Sequence, residues 1–215
     1  MGPQNWGELS PEYETCTTGT LQSPIDIHGA KSADLPALQL NYIDSNFIVT
    51  NNGHTIKASF ENGGTLKVGE DSYNLIQVHF HSPGEAAVDG DRSDMVAHLV
   101  HSSEAGDLAV IGVLLEAGNA NAAIQKIWDQ MPQEVGAENK ASGTLNAQNI
   151  TGSELAYYTF QGSLTTPPCT EGVRWIVLKN PVTLSAGQIA AFKELYPMNA
   201  RPIQPTNDRE ILVSK

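Results

Sequence analysis

The chain has 215 residues, a length that suits one domain with a sizeable hydrophobic core, and we expect a single domain over residues 1–215. Its formal net charge of −12 at pH 7 argues against nucleic acid or an anionic membrane surface as a partner, because both attract clustered Lys and Arg. No apolar stretch approaches the roughly 20 residues of a membrane span, and Met1-Gly2-Pro3 lacks the basic and then apolar build of a secretion signal.

The first clear element along the chain is a β-hairpin. Residues 47–50 and 54–58 flank Asn51-Asn52-Gly53, and Asn-Gly favours a turn with positive φ. His54 leaves this turn, where it is either a solvated turn residue or a group that carries protons near neutral pH. Glu61-Asn62-Gly63-Gly64 predicts a second hairpin turn.

The next strand carries two histidines on one face. Apolar residues at positions 76, 78 and 80 alternate with Gln77, His79 and His81, the period-2 pattern of a strand with unlike faces. Both imidazoles therefore leave the same side of the strand. Two histidines one residue apart on a rigid strand form a clamp for a divalent metal, and zinc binds histidine nitrogen readily.

A third metal ligand is expected from the strand that follows at 95–101. His98 and His101 are an odd number of positions apart, so only one of them can face the site. With Val96 and Val100 on its own side, His98 completes three histidines and leaves the fourth position of tetrahedral zinc for water, the open arrangement of a catalytic site. The alternative is that these histidines are core side chains satisfied by hydrogen bonds.

Two helices and many alternating runs set the expected fold class. Apolar residues at five positions predict a helix over 121–131, and Ser185-Ala186-Gly187-Gln188 is a capping box that predicts a second helix through Leu195. The five positions are Ala123, Ile124, Ile127, Trp128 and Met131. The remaining pattern predicts a mostly β domain, built on a large, mainly antiparallel twisted sheet with short peripheral helices.

Several segments together resemble the α-class carbonic anhydrases of bacterial and extracellular type. They are Gln77-Val78-His79-Phe80-His81, Glu85, His98 to His101 and Gly162-Ser163-Leu164-Thr165-Thr166-Pro167-Pro168, and the likeness runs over nearly the whole chain. The resemblance implies a zinc lyase that hydrates carbon dioxide reversibly to bicarbonate and a proton through zinc-bound hydroxide, with a weak esterase side activity. It implies Zn²⁺ as cofactor, held by His79, His81 and His98.

The resemblance also implies roles around the metal. The glutamate that matches Glu85 accepts the proton of the threonine that matches Thr165, and this threonine orients the hydroxide; without the resemblance, Glu85 is a solvated turn residue. Asn52-Gly53-His54 resembles the proton-shuttle segment. The substrate pocket is implied to include Val100, Val110, Leu164, Thr166 and Trp175. Trp6, Gln22 and Asn199 are implied to support the site from behind.

The two cysteines indicate the compartment. The resemblance implies a Cys16–Cys169 disulfide, which would stabilise the fold by on the order of 5 kcal/mol in the chain-entropy model. A disulfide favours an oxidising compartment, so we expect a periplasmic or secreted protein. The alternative is two free thiols in a cytosolic protein. Cis bonds are implied at Ser23-Pro24 and Pro167-Pro168.

Three positions depart from the family pattern. The family usually has His at Ala86, Glu at Val96 and Tyr at Phe160. The missing Glu commonly accepts the second N–H of the third zinc histidine, so we predict weaker or faster-exchanging zinc.

These departures keep two other functions open, a non-catalytic carbonic-anhydrase-like binding protein and a zinc hydrolase that acts on esters. The expected partners are carbon dioxide or bicarbonate and sulfonamide or anion inhibitors, with the protein a monomer or homodimer.

Overall fold

The computed structural model describes residues 2–215, so the Met1 part of the Met1-Gly2-Pro3 interpretation lies outside the described residues. The strands in this range are β1 Asp26–Ile27, β2 Lys31–Ala33, β3 Leu38–Tyr42, β4 Phe47–Asn51, β5 Ile56–Phe60, β6 Gly64–Val68, β7 Asp71–His81, β8 Ala87–Val88, β9 Asp91–Arg92, β10 Met95–Ser102, β11 Leu108–Ala117, β12 Glu138–Lys140, β13 Tyr157–Ser163, β14 Glu171–Leu178, β15 Val182–Leu184 and β16 Leu212–Ser214. The α-helices are α1 Thr15–Thr18, α2 Ala122–Trp128, α3 Gln148–Thr151 and α4 Ala186–Leu195, and short 3₁₀ helices cover Pro3–Glu8 and Pro11–Tyr13.

A 13-stranded sheet forms the centre of the molecule, which confirms the predicted fold class. Its main path runs β12-β4-β5-β7-β10-β11-β14-β13-β16-β2, while β6 pairs with β7 and β3, and β15 pairs with β11. Most neighbours are antiparallel; β11 is parallel to β14 and β15, and β16 is parallel to β2. The short strands β1, β8 and β9 form a separate sheet.

Strand β10 has two buried faces because its side chains alternate. Met95, Ala97 and Leu99 point into the main core, where Trp128 of α2 and Phe192 of α4 also pack. Val96 belongs to a second apolar cluster on the other side of the sheet. His98 is two residues along the strand and so shares that second face. The site face of the sheet therefore has an apolar cluster of its own.

The predicted alternation in β7 is wrong at Ile76. Val100 lies opposite Gln77 and His101 lies opposite Leu75, which leaves Ile76 as the extra residue of a β-bulge. Its side chain is 43% exposed instead of buried. The bulge lets Leu75 and Val78 share the core face, while the residues from Gln77 to His81 keep the predicted alternation.

The first predicted hairpin is confirmed and the second is wrong. β4 and β5 pair from Phe47 opposite Phe60 to Asn51 opposite Ile56, and Gly53 in the turn has a φ of 83°. By contrast, β5 and β6, on either side of the predicted second turn, pair with β7 and not with each other. The 11 residues of β7 are long enough to accept both strands at different places.

Both predicted helices are present. The Asn121 side chain caps α2 by accepting from the backbone N–H groups of Ala123 and Ile124. This helix ends at Trp128, so Met131 lies beyond it and packs against the main core from the following loop. The capping box at Ser185 and Gln188 is confirmed at the start of α4.

His101 is a buried histidine on the core face of β10. Its Nδ1 lies 3.3 Å from the Ala109 carbonyl oxygen and its Nε2 lies 2.7 Å from the Tyr42 hydroxyl. A neutral ring satisfies both contacts, since Nδ1–H donates to the carbonyl and Nε2 accepts from the hydroxyl. Burial lowers the pKa of His101 to about 4 and raises the pKa of Tyr42 above its usual value.

We expect this histidine to make the fold sensitive to acid. In the unfolded chain its pKa is about 6.5, so between roughly pH 6.5 and pH 4 the unfolded state binds more protons and stability falls as pH falls. The free energy of unfolding contributed by His101 is lower by about 2 to 3 kcal/mol at about pH 4.5 than at about pH 7. Urea unfolding at about pH 7 and pH 4.5 measures it in the wild type and in His101→Gln, whose amide can both donate and accept. The variant should lose less stability between the two pH values; an equal loss would contradict the assignment.

Candidate metal centre

Three histidines converge on the site face of the sheet, the face that carries the second apolar cluster. His79 and His81 lie on β7, and His98 of β10 lies directly opposite His79. Their ring centroids are 4.9 to 5.2 Å apart, and one nitrogen of each ring lies within 4.8 Å of the others. His101 points into the core on the other face, as its odd spacing from His98 predicts.

Burial favours the neutral form of two of the three imidazoles, those of His79 and His98. It lowers the pKa of His79 and His98 well below the usual histidine value. The neighbouring His81 lowers both pKa values further, because charges on adjacent rings repel. A neutral imidazole is the form that binds metal, so the pair is prepared for a cation.

Two of the rings are oriented by hydrogen bonds on the side away from the common centre. His79 Nδ1 donates to Gln77 Oε1 at 2.9 Å, and His81 Nδ1 donates to the Asn199 carbonyl oxygen at 3.1 Å. These contacts leave both Nε2 atoms free, and that of His81 is buried without a hydrogen-bond partner among residues 2–215. Second ring nitrogens held in this way are usual for zinc histidines, so the donor set fits zinc with three protein ligands.

His98 lacks such a partner. Neither of its ring nitrogens makes a hydrogen bond within the described part of the chain, and Glu85 Oε2 lies 3.8 Å from its Nδ1. Gln77 holds His79 from two positions earlier on the same strand, and the matching position before His98 is Val96. Val96 is buried in the second apolar cluster with Leu114 and Phe160.

Glu85 is buried at the centre and is not the solvated residue that a position after a turn suggests. Its Oε1 accepts the backbone N–H of Arg201 at 2.8 Å and lies 3.5 Å from His81 Nδ1. Its Oε2 is buried without a hydrogen-bond partner among residues 2–215. Thr165 is also buried but makes no hydrogen bond to Glu85 in this structure, so the relay between them stays a prediction.

An apolar wall lies beside the histidines. The Trp175 ring packs edge-on against the His98 ring, with 4.9 Å between the ring centroids, and stacks on the Phe160 ring, with 6.3 Å between the centroids. The predicted pocket residues Val100, Val110, Leu164 and Trp175 all belong to the second apolar cluster or pack against it. Thr166 is exposed on the loop after β13, and its carbonyl accepts from Cys169.

His54 is exposed where the β4–β5 turn ends, as predicted. Its carbonyl accepts a hydrogen bond from Asn199 Nδ2 at 2.9 Å. The Asn199 carbonyl in turn contacts His81, so a single residue links the turn to a histidine of the centre. The shuttle role of His54 stays a prediction.

The supporting residues behind the site are only partly those that the sequence indicates. Gln22 and Asn199 do lie in this region, but the structure adds Arg201, whose backbone binds Glu85 and whose side chain binds Gln22. A lone arginine in the irregular run Asn199-Ala200-Arg201-Pro202 was the available signal, and it does not indicate its partner more than 100 residues away.

The disulfide and the cis bonds implied by the resemblance are present. Cys16 and Cys169 are bonded across a sequence separation of 153 residues. Ser23-Pro24 and Pro167-Pro168 are cis, and Ser82-Pro83, which the sequence did not indicate, is cis as well. No helix within residues 2–215 has the length and apolar character needed to cross a membrane.

Comparison with known proteins gives a consistent result. The sequence profile of the eukaryotic-type carbonic anhydrases matches residues 1–215. A carbonic anhydrase from Nostoc sp. is 41% identical over 218 residues, covering 99% of this chain and 83% of that protein.

Two solved structures agree closely with the fold. A hyperthermostable carbonic anhydrase from an active hydrothermal vent chimney superposes with a TM-score of 0.96 at 43% identity, covering 100% of this chain and 96% of the other. The α-carbonic anhydrase of Thermovibrio ammonificans, in complex with the inhibitor sulfanilamide, gives 0.95 at 40% identity, covering 99% and 95%. This chain belongs to the eukaryotic-type carbonic anhydrase family.

Proposed function

We propose that this protein is a carbonate dehydratase that hydrates carbon dioxide reversibly to bicarbonate and a proton, with residues 1–215 as one catalytic domain. The observation that carries the proposal is the convergence of His79, His81 and His98 beside an apolar wall, with two of the rings oriented by hydrogen bonds from behind. Bound zinc lowers the pKa of a water ligand to about 7, a value established for carbonic anhydrases themselves.

The remaining residues orient the reacting molecules. Glu85 is anchored through Oε1, so its free Oε2 accepts a hydrogen bond from the Thr165 hydroxyl, and the threonine oxygen in turn accepts a hydrogen bond from the reacting water. This arrangement directs the water oxygen at the substrate carbon. Carbon dioxide is small and uncharged, so the wall of Val100, Val110 and Trp175 suffices to hold it.

Proton removal is assigned to His54. The side chain is exposed at the turn whose backbone is held by Asn199, close to the metal ligand His81. An exposed imidazole exchanges protons with buffer near neutral pH, which is what repeated turnover requires.

We expect His54→Ala to slow carbon dioxide hydration in low buffer. Stopped-flow assays of zinc-loaded protein should show a drop of about tenfold, below the ~10²- to 10⁴-fold typical of a proton transfer in the reaction step itself, because buffer partly replaces the side chain. Added imidazole should restore the rate. His28→Ala is the matched control, since His28 is another exposed histidine and lies at a separate surface cavity with Lys31 and Arg209.

Two outcomes would contradict this proposal at different levels. A rate that is unchanged in His54→Ala would remove the shuttle and leave the hydration reaction in place. No rate above buffer in the wild type, with zinc confirmed bound, would mean that the altered surroundings of His98 disable catalysis. The protein would then be a carbonic-anhydrase-like binding protein.

Further properties follow from the same site. A weak esterase activity is expected from the same nucleophile, and sulfonamides and small anions are expected to inhibit, as supported by the sulfanilamide complex of the Thermovibrio ammonificans protein. The Cys16–Cys169 bond supports a periplasmic or secreted location, because disulfides persist in oxidising compartments. The proposed assembly is a monomer or a homodimer.

A further inference from the structure

Arg201 carries a fully buried guanidinium group. Nη1 donates to Gln22 Oε1 at 2.9 Å and to the Ser23 carbonyl oxygen at 2.7 Å, and Nη2 donates to the Cys16 carbonyl oxygen at 3.1 Å. The Trp6 ring centroid lies 5.6 Å from its Cζ, within cation–π range. The side chain therefore ties the C-terminal part of the chain to the N-terminal segment and to the disulfide.

The backbone around Arg201 contacts the metal centre. The Arg201 N–H donates to Glu85 Oε1 at 2.8 Å, and two residues earlier the Asn199 carbonyl accepts from His81 Nδ1 at 3.1 Å. Asn199 Oδ1 also accepts the backbone N–H of Ser82 at 2.8 Å. Residues 199–201, the bracing segment, thus hold one proposed zinc ligand and the residue proposed to accept a hydrogen bond from Thr165.

The bracing segment has no regular secondary structure to fix it. It lies in a stretch without helix or strand from 196 to 211, so individual contacts hold its backbone. They include the Asn199 N–H, which donates to the Ser82 carbonyl oxygen at 3.1 Å, and the side chain of Arg201. A buried guanidinium is costly unless its donors are paired. Three hydrogen bonds from Nη1 and Nη2 reach partners on the N-terminal side, while Nε is buried without a hydrogen-bond partner among residues 2–215. A shift of that anchor is therefore expected to displace the Arg201 N–H directly and to strain the Asn199 contacts two residues earlier in the chain.

We infer that Arg201 is a positioning residue, whose guanidinium group fixes the bracing segment and thereby holds His81 and Glu85 in the geometry that retains zinc. The inference rests on the proposed zinc function. It also predicts that the N-terminal segment, including Trp6 and Cys16, influences His81 and Glu85 through this side chain, although the segment supplies no ligand.

The test compares Arg201→Met and Arg201→Lys with Arg209→Met. Arg209 is a matched control, because it binds the carbonyl oxygens of Pro205, Thr206 and Gln161 in the same C-terminal stretch and hydrogen-bonds no residue of the metal centre. Two readouts are measured. The first is the rate of zinc release into excess chelator. The second is the NMR signal of the proton on nitrogen-15-labelled His81 Nδ1, because the hydrogen bond to the Asn199 carbonyl protects this proton from exchange with water.

We expect Arg201→Met to release zinc about tenfold faster, the lower end of the effect of losing an outer hydrogen-bond partner of a metal ligand. Its His81 Nδ1 proton should exchange faster as well. Arg201→Lys, which keeps one charge and fewer directed donors, should fall between. Arg209→Met should leave both readouts unchanged even if its melting temperature falls.

Two results would overturn the inference. One is that Arg201→Met releases zinc at the wild-type rate and keeps the His81 Nδ1 proton signal intact. If Arg201→Met does not fold, the same result in Arg201→Lys would overturn the inference. The other is equal acceleration in Arg209→Met, which would reduce the effect to general stability. If the wild type binds no zinc, the proposed function fails; the His81 signal in metal-free protein still tests the role of Arg201.

Discussion

Replacement of Glu85 by Gln is expected to lower kcat/KM for carbon dioxide hydration by about 10²- to 10³-fold, the loss typical of one preorganised hydrogen-bonding group in an active site. The geometry fixes how the amide would sit. The Arg201 N–H donates to Oε1, so the amide oxygen takes that place and the NH₂ group takes the place of Oε2. A donor would then face Thr165 where an acceptor is needed, and the threonine would orient water in the wrong sense.

Stopped-flow kinetics and zinc analysis separate this effect from loss of metal. Glu85 supplies no zinc ligand in the proposed site, so zinc content should match that of the wild type. Asp94→Asn is the control, since Asp94 also accepts a backbone N–H, that of Ala117, and hydrogen-bonds no residue of the metal centre. A Glu85→Gln variant with near wild-type kcat/KM would show that the carboxylate does not orient the reaction.

Introduction of Glu at Val96 is expected to slow zinc release by about 10- to 100-fold. His98 is the one histidine of the three without an outer hydrogen-bond partner among the described residues. Gln77, two positions before His79 on the same strand, shows that a side chain at this spacing can hydrogen-bond the histidine ring. A glutamate at position 96 would accept the second N–H of His98 and raise its basicity as a ligand. Chelator-driven zinc release measures the effect.

Control variants at the same position separate hydrogen bonding from packing. Val96→Gln supplies a neutral acceptor and should give part of the gain, while Val96→Leu should give none. Both polar variants should unfold at a lower temperature, because the side chain enters the cluster with Leu114 and Phe160. Equal zinc release from the wild type and Val96→Glu would show that His98 needs no outer partner.

The grouping of the three candidate metal ligands could be predicted because strand geometry follows directly from sequence spacing. Residues two apart share a face and residues three apart do not, which pairs His79 with His81 and separates His98 from His101. The bulge at Ile76 could not be predicted this way, because it arises where β7 adapts to the register of β10. No local pattern in β7 marks the extra residue.

Contacts between distant parts of the chain were also out of reach of local patterns. The Glu61 to Gly64 segment has the composition of a hairpin turn, yet the strands on either side of it, β5 and β6, each pair with β7 and not with each other. Glu85 follows a turn and has the local pattern of a surface residue, but its partner Arg201 is 116 residues away. Spacing grouped the three histidines on one face but left core histidines as an alternative, whereas family resemblance supplied their role as zinc ligands, the disulfide and the roles of Thr165 and Glu85.

The sequence separations also set an order of events during synthesis. His79, His81 and His98 all come from β7 and β10, which are neighbours in the sheet, whereas the Asn199 carbonyl that binds His81 lies 118 residues further on. Asn199 follows His98, the last of the three histidines, by 101 residues. At ~5 to 20 residues per second, ribosomes therefore finish the three histidines roughly 5 to 20 seconds before that partner. All three histidines are therefore synthesised before the segment that orients His81, and we expect tight retention of a bound metal only once that segment has folded into place.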